Sequence, residues 1–94
     1  MQKAYLNLVK YALDDGNTVS AYDGEDWLKR SRSYNKIKGH IEAVEESVLI
    51  IRDPDGRRLG TAYIALEYHQ APDETIYDYT ASDYMQEWEQ QYHG

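Results

Sequence analysis

The chain has 94 residues, no cysteine and a formal net charge of −7, which fits one small domain and excludes a disulfide framework, a thiolate nucleophile and a cysteine metal site. Its charge is unevenly placed. Through Arg58 ten acids balance ten bases, whereas after it stand seven acids, Glu67, Asp73, Glu74, Asp78, Asp83, Glu87 and Glu89, and no lysine or arginine.

Residues 2–14 set Tyr5, Leu8, Val9, Ala12 and Leu13 at helical spacing with Lys3, Asn7, Lys10 and Asp14 opposite, which predicts an amphipathic helix stopped by Gly16. The β-branched and aromatic residues of 18–22 predict a strand, Asp23-Gly24 a tight turn, and 26–31 the returning strand. Ser31 or Ser33 can cap a second helix that carries Tyr34, Ile37, Ile41 and Val44 on one stripe and runs to about Glu46. Gly39 inside it costs about 1 kcal/mol relative to alanine.

A short apolar strand is expected over 48–52, and Asp53-Pro54-Asp55-Gly56 has the composition of a turn. The run 57–68 is apolar on both faces, as in a central strand, and its small residues Gly60 and Ala62 would let a helix approach closely. After a loop with Pro72, residues 75–79 read as a further strand. Thr80-Ala81-Ser82-Asp83 then reads as a capping box, with the threonine hydroxyl and aspartate carboxylate each taking a free N–H. The last helix groups Tyr84, Met85, Trp88 and Tyr92 on a docking face, with Asp83, Gln86, Glu87, Glu89 and Gln90 on a solvated one. The expected fold is a single α+β domain over 1–94, ordered α-ββ-α-ββ-(β)-α, with an antiparallel sheet of four or five strands and helices mainly on one face.

No catalytic signature stands out. The serines lack a nucleophile-elbow context, no glycine-rich phosphate loop occurs, and carboxylate pairs such as Glu45-Glu46 are ordinary solvated charge. Asp53-x-Asp55-Gly56 opens like a calcium loop, but Arg57, Arg58 and Ile64 stand where a ligand, the turn glycine and the closing glutamate belong. His40, His69 and His93 are isolated in sequence. The expectation is a protein that is not an enzyme and takes no metal or cofactor.

The basic stretch Lys29, Arg30, Arg32, Lys36 and Lys38, broken by Tyr34, is the one place suited to phosphates and a stacking ring. The overall charge argues against direct nucleic-acid binding, and the stretch reads better as an internal partner for the acids or a solvated helix start. The composition includes ten Tyr, two Trp and no Phe. Because a buried tyrosine hydroxyl needs a partner, many rings are expected half exposed, and tyrosine is enriched at interfaces. The candidate binding set is therefore Glu67, Asp73, Glu74, Tyr77, Asp78, Tyr79, Asp83, Glu87 and Glu89, which combines steering charge with rigid anchors for a basic protein partner. Excess acid serving only solubility is the plain alternative. Another is a homodimer formed through the Tyr-rich surface or a strand edge.

Tyr22-Asp23-Gly24-Glu25-Asp26-Trp27, Ile51-Arg52-Asp53-Pro54-Asp55-Gly56, and Asp78-Tyr79-Thr80 followed by Trp88 resemble stretches of small uncharacterised acidic proteins of tailed phages and prophages, over about residues 11–92. The resemblance implies a host-interaction or counter-defence role, as an inhibitor that occupies the nucleic-acid site of a host protein. It assigns no particular residue to that role. No apolar run reaches the roughly 20 residues that span a bilayer, and no signal-peptide core opens the chain, so a soluble protein of the (host) cytoplasm is expected.

Overall fold

The computed structural model describes residues 2–66 and 71–94, and for Asp73 the backbone alone. Three α-helices and a five-stranded antiparallel sheet follow the order α1 (Ala4–Asp14), β1 (Thr18–Tyr22), β2 (Trp27–Ser31), α2 (Tyr34–Glu42), β3 (Glu46–Arg52), β4 (Arg58–Ala65), β5 (Ile76–Tyr79) and α3 (Asp83–His93), with a 3-10 turn at Pro72–Glu74. This is the α+β architecture expected, with the fifth strand present. Spatially the strands run β2-β1-β3-β4-β5.

Alternation along the strands puts Val19, Ala21, Leu49, Ile51, Ala62 and Ile64 on one face, all fully buried. The helices cover that face: α1 and α2 pack on β1, α2 also on β2, and α3 on β4, while α1 touches both other helices. Their stripes supply Tyr5, Leu8, Val9 and Ala12, then Ile37 and Ile41, then Met85 and Trp88. Burial of these side chains, each worth about 1.5–3 kcal/mol for the larger ones, is what fixes the helices on the sheet. At Gly60 an added Cβ would stand 2.4 Å from Met85 Cγ, so the small residues of β4 do admit a close helix.

Several local expectations are corrected. The second helix ends at Glu42, not near Glu46, because Glu46 and Ser47 are drawn into β3 opposite Ala65 and Ile64, and Ser47 Oγ donates to the Ile41 carbonyl. Its cap is Ser33, which accepts from Lys36 N–H; Ser31 belongs to β2. Ser82 likewise caps α3 by accepting from Met85 N–H, while Thr80 Oγ1 accepts from Thr61 N–H and so serves the sheet. The fourth strand closes at Ala65, and what was expected of 67–70 lies outside the described residues. Gly16 stops α1 with φ +84°, as the sequence suggested. In the first hairpin turn Asp23 Oδ1 accepts from the N–H groups of Asp26 at 2.7 Å and Glu25 at 2.9 Å, and these bonds hold its carboxyl below the usual carboxylate range.

The tyrosines divide as their chemistry requires. Tyr5 is fully buried with its hydroxyl on Glu42, Tyr11, Tyr22, Tyr34, Tyr79, Tyr84 and Tyr92 are half-buried, and Tyr63 and Tyr77 are exposed. Among the described residues no helix is long and apolar enough to cross a membrane.

Candidate functional site

The sheet order governs how the charges lie. The basic segment 29–38 occupies β2 and α2 at one edge, and the acid-only segment after Arg58 occupies β5 and α3 at the other. Lys38 pairs instead with Glu42 of its own helix at 3.1 Å. Among the described residues no ion pair joins Lys29, Arg30, Arg32, Lys36 or Lys38 to an acid of the C-terminal segment.

Within that segment the structure brings some of the expected residues together and scatters others. Glu74, Tyr77, Tyr79 and Glu89 line one hollow of about 450 Å³ between β5 and α3, with Trp88 and His93. Asp78, Tyr79 and Glu89 line a neighbouring hollow of about 480 Å³ together with Gln86 and Gln90. The Tyr79 hydroxyl donates to Glu89 Oε2, so these two side chains belong to both hollows. That bond corrects the expectation of a wholly wet acidic face: Glu89 is half-buried, and its carboxylate, followed by burial, pushes the Tyr79 phenol up to about 12.

Asp83 is exposed in the first turn of α3, where a carboxylate is favoured by the helix dipole. Glu87 lies on the flank of that helix away from Glu89, where it joins burial and Asp15 in raising the Tyr11 phenol. Glu67 and the side chain of Asp73 lie outside the described residues. The acids thus form a β5-α3 cleft plus outlying positions. Their separation follows from the 3.6-residue period, which turns Glu87 and Glu89 to different sides.

The aromatic wall of the cleft is built from α3. Trp88 stacks on Tyr92 with centroids 5.5 Å apart and takes the edge of Tyr79 at 6.2 Å. His93 is exposed, as expected of an isolated surface histidine, and the last helical turn places it at the rim of the cleft. Its i, i+4 relation to Glu89 on a helix was the available signal. His40 lies elsewhere, with Nε2 at 3.2 Å from the Asp26 carbonyl and 3.6 Å from Asp23 Oδ2. His69 is outside the described residues.

The carboxylate of Asp53 is occupied by its own turn, accepting from Asp55 N–H at 3.0 Å and Arg57 N–H at 2.8 Å. Among the described residues no group of three or more His, Asp or Glu side chains is placed to hold a metal ion. No protein-family model, curated protein or solved structure matches the chain.

Proposed function

We propose that the protein is a non-catalytic binding module, phage-encoded and acting in the host cytoplasm, whose β5-α3 edge docks on a basic segment of a host protein and inhibits or modulates it. The observation that carries this reading is the sheet order, which puts the cations of β2 and the acids of β5 at opposite edges, with α2 packed on β1 and β2 and α3 on β4. An acidic cleft lined by Tyr77 and Tyr79 over the buried Trp88 supplies long-range attraction together with rigid aromatic anchors. Beside it, among the described residues β5 has β4 as its one strand neighbour, so an extended basic peptide can add to the sheet edge.

Charge reversal at the exposed acids Glu74, Asp78 and Asp83 tests the reading without breaking the Tyr79–Glu89 bond. Capture from host lysate at low salt is expected to retain a basic protein that is released near 0.5 M salt and lost by the Glu74→Lys/Asp78→Lys/Asp83→Lys variant. Identical capture by the variant, with its near-ultraviolet circular dichroism unchanged, would end the proposal.

A further inference from the structure

The sheet face opposite the helices carries a second constellation, of the other sign. Two register irregularities build it. In β2 the pairing passes from Leu28 opposite Ala21 to Ser31 opposite Val19, so Lys29 and Arg30 together oppose the single residue Ser20. Such a bulge re-aims side chains, and here two successive cations come to one side. Arg30 adopts φ +43°, a conformation uncommon for a residue with a Cβ, and its N–H donates to Ser20 Oγ at 2.9 Å. In the β3-β4 hairpin the register shifts between Ile51 and Arg52, which leaves Arg52 directly opposite Arg58.

Like charges placed opposite each other across a strand pair destabilise it. Lys29, Arg30, Arg52 and Arg58 nevertheless line one hollow of about 450 Å³, and no acid lines it. Among the described residues none of the four makes an ion pair, although Asp53 and Asp55 stand in the adjoining turn. Ser20, which is 3 % exposed, accepts from Arg52 Nη1 at 3.3 Å as well as from Arg30 N–H, so one buried hydroxyl positions both arginines.

Aromatic rings flank the cations on the same face. Cross-strand pairing sets Trp27, Tyr22, Val48 and Tyr63 in one row across four strands, and the row ends on β5 at Asp78, the far end from the cations. Trp27 is 43 % exposed and lies against Tyr22 with centroids 4.8 Å apart, while Tyr63 lies 6.3 Å from the exposed ring of Tyr77. The Thr61 hydroxyl, buried in the adjacent row, has no hydrogen-bond partner among the described residues.

We propose that this face binds single-stranded nucleic acid, with bases stacked on the Trp27-to-Tyr63 row and phosphates held by Lys29, Arg30, Arg52 and Arg58. Cations that repel one another and meet no carboxylate fit a ligand carrying several negative charges, and exposed rings beside them fit one that also presents flat π-faces. A duplex hides its bases and meets the acidic β5-α3 edge as it approaches broadly; a single strand lies across one sheet face. The sequence placed its candidate phosphate contacts on Lys29 to Lys38 with Tyr34 as the stacking ring. In the fold Lys36 and Lys38 leave with α2 to the helical layer and Tyr34 packs against the core. Arg52 and Arg58 take their place, and Trp27 supplies the ring.

Fluorescence anisotropy with labelled DNA and RNA single strands of about 15 nucleotides, and with a duplex of equal length, tests the proposal. Single strands are expected to bind better than the duplex, to quench the exposed Trp27, and to weaken steeply as salt rises. Trp27→Leu is expected to weaken binding about tenfold with the salt slope kept. Arg52→Ala/Arg58→Ala is expected to weaken it at least tenfold and to lower that slope by more than one unit. The Glu74→Lys/Asp83→Lys variant, which leaves Asp78 at the end of the row unchanged, is expected to retain oligonucleotide binding, which separates this site from the acidic cleft. The proposal is overturned if single strands fail to bind at about 100 µM protein, or if polyphosphate competes fully while Trp27→Leu changes nothing. It is also overturned if sedimentation shows a dimer that Trp27→Leu dissolves, since a second copy would then occupy the face.

Discussion

The indole N–H of Trp88 donates to the side-chain oxygen of Asn7 at 2.8 Å, tying α3 to α1 across 81 positions of sequence. Trp88 is 2 % exposed, so this donor has no ready exchange with water. Asn7→Ala leaves it unpaired, at a cost of about 1–3 kcal/mol. A fall of several degrees in Tm is expected, with Asn7→Asp milder because it keeps an acceptor. An unchanged Tm for the alanine variant would show that the bond contributes nothing net.

Gly60 is expected to reject even a methyl group. An added Cβ would meet Met85 Cγ at 2.4 Å and Sδ at 2.6 Å beneath the buried face of α3. Overpacking of this kind costs about 1–3 kcal/mol. Gly60→Ala combined with Met85→Ala should lose less than the sum of the two single variants, because each relieves the space the other needs. Urea denaturation checks it, and strict additivity would refute the close approach.

Stability should fall at alkaline pH. Burial first, then the Glu42 carboxylate, raises the Tyr5 phenol, burial raises Tyr84, and Glu89 raises Tyr79 from 10.0 to about 12. For each, the folded state holds its proton where the unfolded chain has released it. The stabilisation is therefore full below pH 10 and is lost as pH rises towards 12 and beyond. Glu42 acts in the opposite sense: the Tyr5 hydroxyl, then Lys38, lower its carboxyl from 4.5, so its contribution is present above that pH and lost below it. Chemical denaturation at stepped pH should give a plateau between these limits, and tyrosinate absorbance should appear for Tyr5, Tyr79 and Tyr84 only as the fold is lost. Ionisation of those rings with unchanged near-ultraviolet circular dichroism would contradict the assignment.

Arg58→Glu should raise Tm. It converts the Arg52–Arg58 opposition into an opposite-charge cross-strand pair, and such pairs contribute roughly 0.2–1 kcal/mol. The same variant should lose affinity for single-stranded oligonucleotides. Stability and binding moving in opposite directions is the signature of a ligand site, whereas a raised Tm with oligonucleotide affinity unchanged would show that the arginine pair serves no ligand.

The elements of the fold were legible because their signals are local. Apolar spacing marked α1 and α3, Gly16 and the Asp53 to Gly56 turn marked stops, and the small residues Gly60 and Ala62 announced the approach of Met85. The end of the second helix was not legible, since it is set by the pairing of Glu46 and Ser47 with a strand many residues later. The sites divide likewise. The absence of bases after Arg58 could be read directly from the chain. The partition of the acids into a cleft beside Tyr79 with Glu87 on another flank required the helix to be placed on the sheet.

Composition and periodicity alone determined that this is one small α+β domain with its net negative charge in the last third. Only tertiary structure decided that the opposing charges stand at opposite sheet edges and that Lys29, Arg30, Arg52 and Arg58 share a face with Trp27. The physical reason is that strand order and bulge register are set by long-range pairing and core packing, quantities that no window of neighbouring residues contains.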